Sequence, residues 1–197
     1  MNPERLSQLL ARIDQLNAED PNRIVVDQVD RPQELVYSER VTAWVLRLNP
    51  KASEYLKIAS RGQHIRRWTI PRDRYPKTRA GYLRWRETLK TFHAETVAGL
   101  MKEQGYTAEA IDRVAALILK RPAADKSEMQ ALEDALCLVF LETQLEDLKA
   151  KMADQKLQEV VRKSWGKMSE QGRQEALKLP LSSAQREWLA QAISSKT

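Results

Sequence analysis

The sequence predicts an all-α fold, on three observations. Apolar residues recur every three to four positions through most of the chain, the period of a helix buried along one face. The stretches with that period stop at Pro, Gly or Asn. No long segment alternates apolar and polar residues as a half-buried strand requires.

The first helix is expected over residues 3–17, with Leu6, Leu9, Leu10, Ile13 and Leu16 on one stripe and Asp20-Pro21-Asn22 beyond its end. Residues 23–31 read as a loop with a short extended piece, Ile24–Val26. Pro32 suits the first turn of a second helix, which carries Tyr37, Val41, Trp44, Val45 and Leu48 inward and stops at Asn49-Pro50. A third helix starts near Ala52, buries Tyr55, Leu56 and Ala59, and continues towards Ile65. The proline-bearing, aperiodic segment Trp68–Thr78 reads as an ordered loop.

A long fourth helix is expected from Arg79 to Gln104, with Leu89, Phe92, His93, Val97 and Leu100 inward and Gly105 as its stop. Thr107 is placed to cap a fifth, lined by Ala110, Ile111, Val114, Leu117 and Ile118. Ser127 opens a sixth, apolar all round from Ala135 to Leu141 and therefore central. Beyond Gln144 the chain reads as three or four shorter helices, separated near Lys163–Gly166 and at Leu179-Pro180-Leu181. The expected organisation is a core over residues 1–145 and a helical extension over 146–197 packed on it.

Charge is unevenly spread. The chain has a formal net charge of +6, yet Arg61–Lys90 alone holds ten basic and two acidic residues. Trp68, Tyr75, Tyr82 and Trp85 lie among its arginines. Arginine suits bidentate recognition of phosphate or carboxylate, and the aromatic rings offer stacking faces for a base. Only Lys77 and Lys90 are lysines here, which favours a compact anion pocket over a long nucleic-acid groove.

The N-terminus has no apolar central region of the kind a signal peptide needs, and no apolar run is long enough to span a bilayer. The single cysteine, Cys137, excludes an internal disulfide and reads as a small core residue. Together these lead to the expectation of a cytoplasmic protein without a membrane partner.

Four polar residues stand on otherwise apolar faces: Tyr37, His64, His93 and Asp134. A buried carboxylate needs a partner or a metal. His64, His93 and Asp134, from three helices, are the candidate acid–base groups and the candidate ligands of one divalent metal ion. The bland alternative for each is a hydrogen-bonded core residue. There is no phosphate-cradling glycine loop, cysteine-based zinc pattern or serine-triad signature.

The order of these residues resembles the HD-domain superfamily of helical, metal-dependent phosphohydrolases. Tyr37-Ser38-Glu39-Arg40-Val41 is similar to the family's first block, with Tyr in place of its His. Gln63-His64 stands where the His-Asp pair is expected. His93–Leu100 is similar to a third block, and Leu132-Glu133-Asp134-Ala135 to the last. Lys120 falls near a later histidine block without matching it and is grouped with the ligand-binding candidates. The resemblance implies an HD-like helical bundle with a metal site lacking two of its usual ligands.

Nearly the whole chain also resembles a narrower family, mainly bacterial and fungal, described as domain of unknown function 4202. The resemblance lies in RPQELVYSERV (Arg31–Val41), QHIRRWTIPRDRYP (Gln63–Pro76), GYLRWR (Gly81–Arg86), LEDALCLVFLE (Leu132–Glu142) and SWGKMS (Ser164–Ser169). It implies kinship and no activity.

Three functions follow as expectations. The first is a phosphohydrolase acting on a small phosphorylated compound or nucleotide. Here His64, His93 and Asp134 are catalytic or metal-bound, while Tyr37, Gln63, Arg67, Arg72 and Lys120 bind substrate. The second is a non-catalytic anion- or nucleotide-binding regulator on a degenerate HD scaffold. The third is a nucleic-acid-associated protein using residues 61–90.

Overall fold

The computed structural model describes residues 3–194 of the chain. It is an all-α bundle with one small hairpin among these residues. Helix α1 (Pro3–Ala18) buries Leu9 and Ile13, and also the amide side chain of Asn17 at its last turn.

Strands β1 (Arg23–Val26) and β2 (Val29–Pro32) form an antiparallel hairpin in which Val26 faces Val29. Its two turn residues, Asp27 and Gln28, both have positive φ (50° and 65°), as a twisted two-residue hairpin turn requires. The hairpin corrects the expectation of a loop with a single extended piece. Asp-Gln lacks the glycine that usually marks such a turn. Pro32 ends β2 and directly precedes α2 (Gln33–Leu48) instead of lying in its first turn.

Helix α3 (Glu54–Gly62) starts at Ser53, whose hydroxyl accepts the Leu56 N–H at 3.1 Å. It stops at Gly62, short of the expected Ile65. The loop 63–78 contains two short 3-10 turns, at Arg67–Thr69 and Arg72–Arg74. Thr78 caps α4 (Arg79–Glu103), which ends at Gly105 with φ of 72°. Thr107 caps α5 (Ala108–Leu119).

Asp125, rather than Ser127, caps α6 (Lys126–Thr143). The rest is α7 (Leu145–Lys151), α8 (Asp154–Lys167), α9 (Glu170–Leu177) and α10 (Ser183–Ser194). Helix α8 runs through the break expected near Lys163–Gly166. The chain turns instead at Met168-Ser169, where Ser169 becomes the cap of α9.

Helix α6 packs mainly against α2 on one side and α8 and α9 on the other, and α3 joins α1, α2 and α5. Its apolar run is the centre of the core: Ala135, Leu138 and Val139 are fully buried. Each such Leu or Val contributes roughly 1.5–3 kcal/mol relative to exposure. One apolar cluster extends from Leu9 in α1 to Ala192 in α10. Among the described residues no helix is long and apolar enough to cross a membrane.

Candidate functional site

The site is assembled where the end of α1, the start of α2 and the turn after α3 meet the middle of α4. Asp20 organises the first two. Its Oδ1 accepts the Asn22 N–H at 2.9 Å, and its Oδ2 accepts the Glu34 N–H at 2.9 Å, satisfying a free amide of the α2 first turn. Glu34 is thereby held in the first turn of α2 with its carboxylate buried.

The turn after α3 is pinned from α1. The Arg66 backbone lies in the left-handed region (φ 50°), and its N–H donates to Asn17 Oδ1 at 3.1 Å. Arg61 adds a two-pronged bridge to Asp14 at 2.6 and 2.7 Å. These contacts orient His64 and Arg67 on either side of the turn. His64 Nδ1 lies 3.1 Å from Glu34 Oε2, and Arg67 Nη1 lies 3.9 Å from Glu34 Oε1. One buried carboxylate therefore serves both an imidazole and a guanidinium.

Tyr37 follows Glu34 by three residues on the same helix face, and its ring stacks on His64 at 4.0 Å and 4°. His93 enters from α4, with its ring 5.8 Å from that of His64. The approach of α3 to α4 depends on Gly62, where a Cβ would meet Val97 Cγ2 at 2.4 Å. His93 is buried, and its Nε2 has no hydrogen-bond partner among the described residues. Gln63 Oε1 is likewise buried and unpartnered.

Both imidazoles are held below their ordinary range. Burial is the largest cause for His64; Glu34 partly opposes it, and Arg67 and Arg86 add to the lowering. Burial lowers His93 further, and the neighbouring His64 and Arg67 reinforce it. Burial also raises the Tyr37 phenol well above its usual value. Burial thus favours the neutral form of both imidazoles and of the phenol.

On the other side of Arg67 an open cleft of about 360 Å³ is lined by Asn22, Trp68, Pro71, Arg72 and Trp85 among others. The Trp85 indole donates to the Ile70 carbonyl at 2.9 Å, which fixes its ring. The Arg67 guanidinium sits 4.8 Å from the Trp85 ring centre and that of Arg72 at 5.9 Å. Arg72 donates to the Tyr75 and Pro76 carbonyls at 2.8 and 2.9 Å, so part of its donor set holds the loop.

The structure brings together Tyr37, Gln63, His64, Arg67 and His93, with Arg72 across the cleft. It gives the two remaining candidates other partners. Asp134 Oδ1 accepts from Gln130 Nε2 at 2.9 Å and from the Ser169 N–H at 2.8 Å, and Oδ2 accepts from the Ser169 hydroxyl. That carboxylate staples α6 to the start of α9. Lys120 closes α5 and pairs with Glu133, which also meets Lys167 at 3.3 Å. Burial pushes Glu133 up, but the two lysines outweigh it and hold it below its usual value. Cys137 lies beside this group; burial first, then Glu133, raises its thiol to about 12.

The expected ligand set of His64, His93 and Asp134 is therefore not assembled. Among the described residues no group of three or more His, Cys, Asp or Glu side chains could hold a metal ion. Glu34 is the site residue that sequence reasoning passed over. An acidic residue in a first turn already has an explanation in the helix dipole. Its spacing of three from Tyr37 was the available signal.

A family model described as Domain of unknown function (DUF4202) matches residues 7–189, and the chain belongs to that family. No curated protein and no solved structure matches the chain.

Proposed function

We propose that this DUF4202-family chain binds a small phosphorylated compound, such as a nucleotide, in the cleft between Arg67, Arg72 and Trp85. The observation that carries the reading is Arg67. Its side chain is about one-third exposed (32%), and its guanidinium makes no hydrogen bond among the described residues, meeting Glu34 in a long ion pair and the face of Trp85. A planar fork of donors at the mouth of a cleft matches the oxygens of a phosphoryl group. The cleft volume suits a small ligand, and Trp68 on its lining offers a ring against which a base could stack.

The test is calorimetry and thermal shift with inorganic phosphate and a panel of nucleotides and sugar phosphates. Saturable binding that raises Tm and is lost in Arg67→Ala is the expected result. No binding of any member of the panel overturns the reading. Binding only to RNA or DNA, falling steeply with salt, would replace it with nucleic-acid association.

A second reading, hydrolysis of the bound ester, is favoured by the Glu34–His64 pair. Glu34 accepts the Nδ1 proton, which leaves the lone pair on Nε2 of a neutral imidazole. Such a nitrogen can take a proton from water as its oxygen attacks phosphorus, and return it to the leaving alkoxide when the ester P–O bond breaks. Loss of turnover in His64→Ala with phosphate binding retained would support hydrolysis. Binding without turnover of any phosphate ester would exclude it.

A further inference from the structure

Building on the phosphate reading above, we infer that the molecule carrying the phosphate is a short single-stranded nucleic acid. Its phosphorylated end enters the cleft at Arg67, and its next nucleotides lie along the exposed face of α4.

The first turns of α4 present a face that the core does not use. Arg79, Tyr82, Leu83 and Arg86 recur at intervals of three and four, so they share one side of the helix over about 10 Å. All four are exposed; Tyr82 is 42% accessible and Leu83 56%. The Tyr82 ring is held from two directions. Arg86 donates to its hydroxyl at 3.3 Å, and the Trp85 ring lies 6.0 Å away. An exposed aromatic ring beside guanidinium groups is the kind of platform on which an unpaired base stacks.

This face is continuous with the cleft. The Arg72 guanidinium lies 5.9 Å from the Trp85 ring centre and 6.0 Å from that of Tyr82, so one cation borders both. Arg86 also acts on His64 from the α4 side. A strand leaving the phosphate on Arg67 therefore meets Arg72 first and then Tyr82 and Arg86.

The charges here are left open. Arg74, Lys77, Arg79, Arg84 and Arg86 are exposed, and none pairs with a carboxylate among the described residues. Exposed arginines elsewhere do so, as Arg23 with Asp30 and Arg113 with Glu109. Of the two acidic residues in the stretch, Asp73 and Glu87, the second is taken by Lys90 at 2.8 Å. Open cations beside a stacking ring attract a chain of phosphates. A terminal phosphate carries about −1.5 to −2 at neutral pH, more than each internal one, and so suits the paired guanidinium groups of the cleft best. A lipid surface is the rival partner for a basic face, but Leu83 alone gives it little to bury.

The experiment is calorimetry on the full chain with uridine monophosphate and with hexauridylate bearing a 5′ phosphate, a 3′ phosphate or hydroxyls at both ends. A phosphorylated hexamer should bind at least about tenfold more tightly than either the mononucleotide or the hydroxyl-ended hexamer. Tyr82→Ala should weaken that hexamer about 5- to 150-fold, the worth of one stacked base, and leave uridine monophosphate unchanged. Arg79→Ala should lower the slope of log K against log salt by about 0.7. Both side chains are exposed, and thermal melts check that the variants fold. Equal affinity for hexamer and mononucleotide overturns the inference and leaves the proposed function standing. A hexamer bound equally well without its phosphate, or undiminished by Tyr82→Ala, overturns it too, with inorganic phosphate then deciding the cleft reading separately. No binding of the mononucleotide or of any hexamer sinks both. Tighter attachment to phosphatidylserine vesicles than to the hexamer assigns the face to a lipid surface instead.

Discussion

His64 and His93 are held neutral by burial, and that makes the protein sensitive to acid in a defined window. Their ordinary value is 6.5, and both lie below it in the folded chain. Unfolded imidazoles take up protons as pH falls through 6.5, while the folded ones resist. The unfolded state then binds more protons, so stability is complete above pH 6.5 and is lost progressively below it. Glu133, also depressed, acts only in a lower range, because its ordinary value is 4.5. Urea midpoints should therefore be level from pH 7 to 8 and fall between about 6.5 and 5. His93→Gln should flatten that fall, since an uncharged amide has no proton to gain. A wild-type midpoint unchanged down to pH 5 would contradict the burial of these rings.

At the scale of elements, two close approaches set how helices meet. Asp134 binds both the N–H and the hydroxyl of Ser169, so α6 holds the first turn of α9. Gly172 lies against that carboxylate, and a Cβ there would come within 2.7 Å of Asp134 Cγ. Asp134→Ala should cost about 1–3 kcal/mol by leaving buried donors unmatched, and Gly172→Ala a similar amount by crowding. Chemical denaturation measures both. Neither should alter the affinity for phosphate at a temperature where the variant is folded. A lost ligand site in folded Asp134→Ala would return that residue to the role its place in the sequence first implied. Gly81 guards the loop carrying Arg72, because a Cβ there would lie 2.2 Å from the Pro76 carbonyl oxygen. Gly81→Ala should displace the Pro76 backbone that Arg72 holds, lower Tm, and weaken phosphate binding at a temperature where the variant is folded.

These elements also mark what the sequence could say. The helices were legible because apolar period and end signals agree, as with Thr107 before α5 and Gly105 after α4. Tyr37, His64 and His93 stood out because each is polar on an apolar stripe. Asp134 stood out for the same reason, yet burial demands only some partner, and Ser169, 35 residues later, is invisible from local spacing. The hairpin was missed because its positive-φ turn uses Asp27 and Gln28 instead of glycine.

The whole molecule behaves as one cooperative structure if its core is read literally. Leu157 and Val161 of α8 are as buried as Leu9 of α1, Leu189 of α10 is nearly so, and all belong to one cluster. The candidate site depends on the same continuity, since it takes Asn17 from α1, Glu34 from α2, the turn after α3 and His93 from α4. Helix α6, which backs α2, is in turn covered by α8 and α9. A chain ending at residue 145 would lose the packing of α8 and α9 on α6 and expose apolar core there, at roughly 1.5–3 kcal/mol for each large side chain fully exposed. Several such losses match the whole stability of an ordinary domain. Calorimetry of the full chain should accordingly show one transition with equal calorimetric and van't Hoff enthalpies. The 1–145 fragment should show no cooperative transition and bind an apolar dye. A fragment that melts sharply on its own would mean instead that residues 146–197 are an appendage, and that α1–α6 alone hold the site.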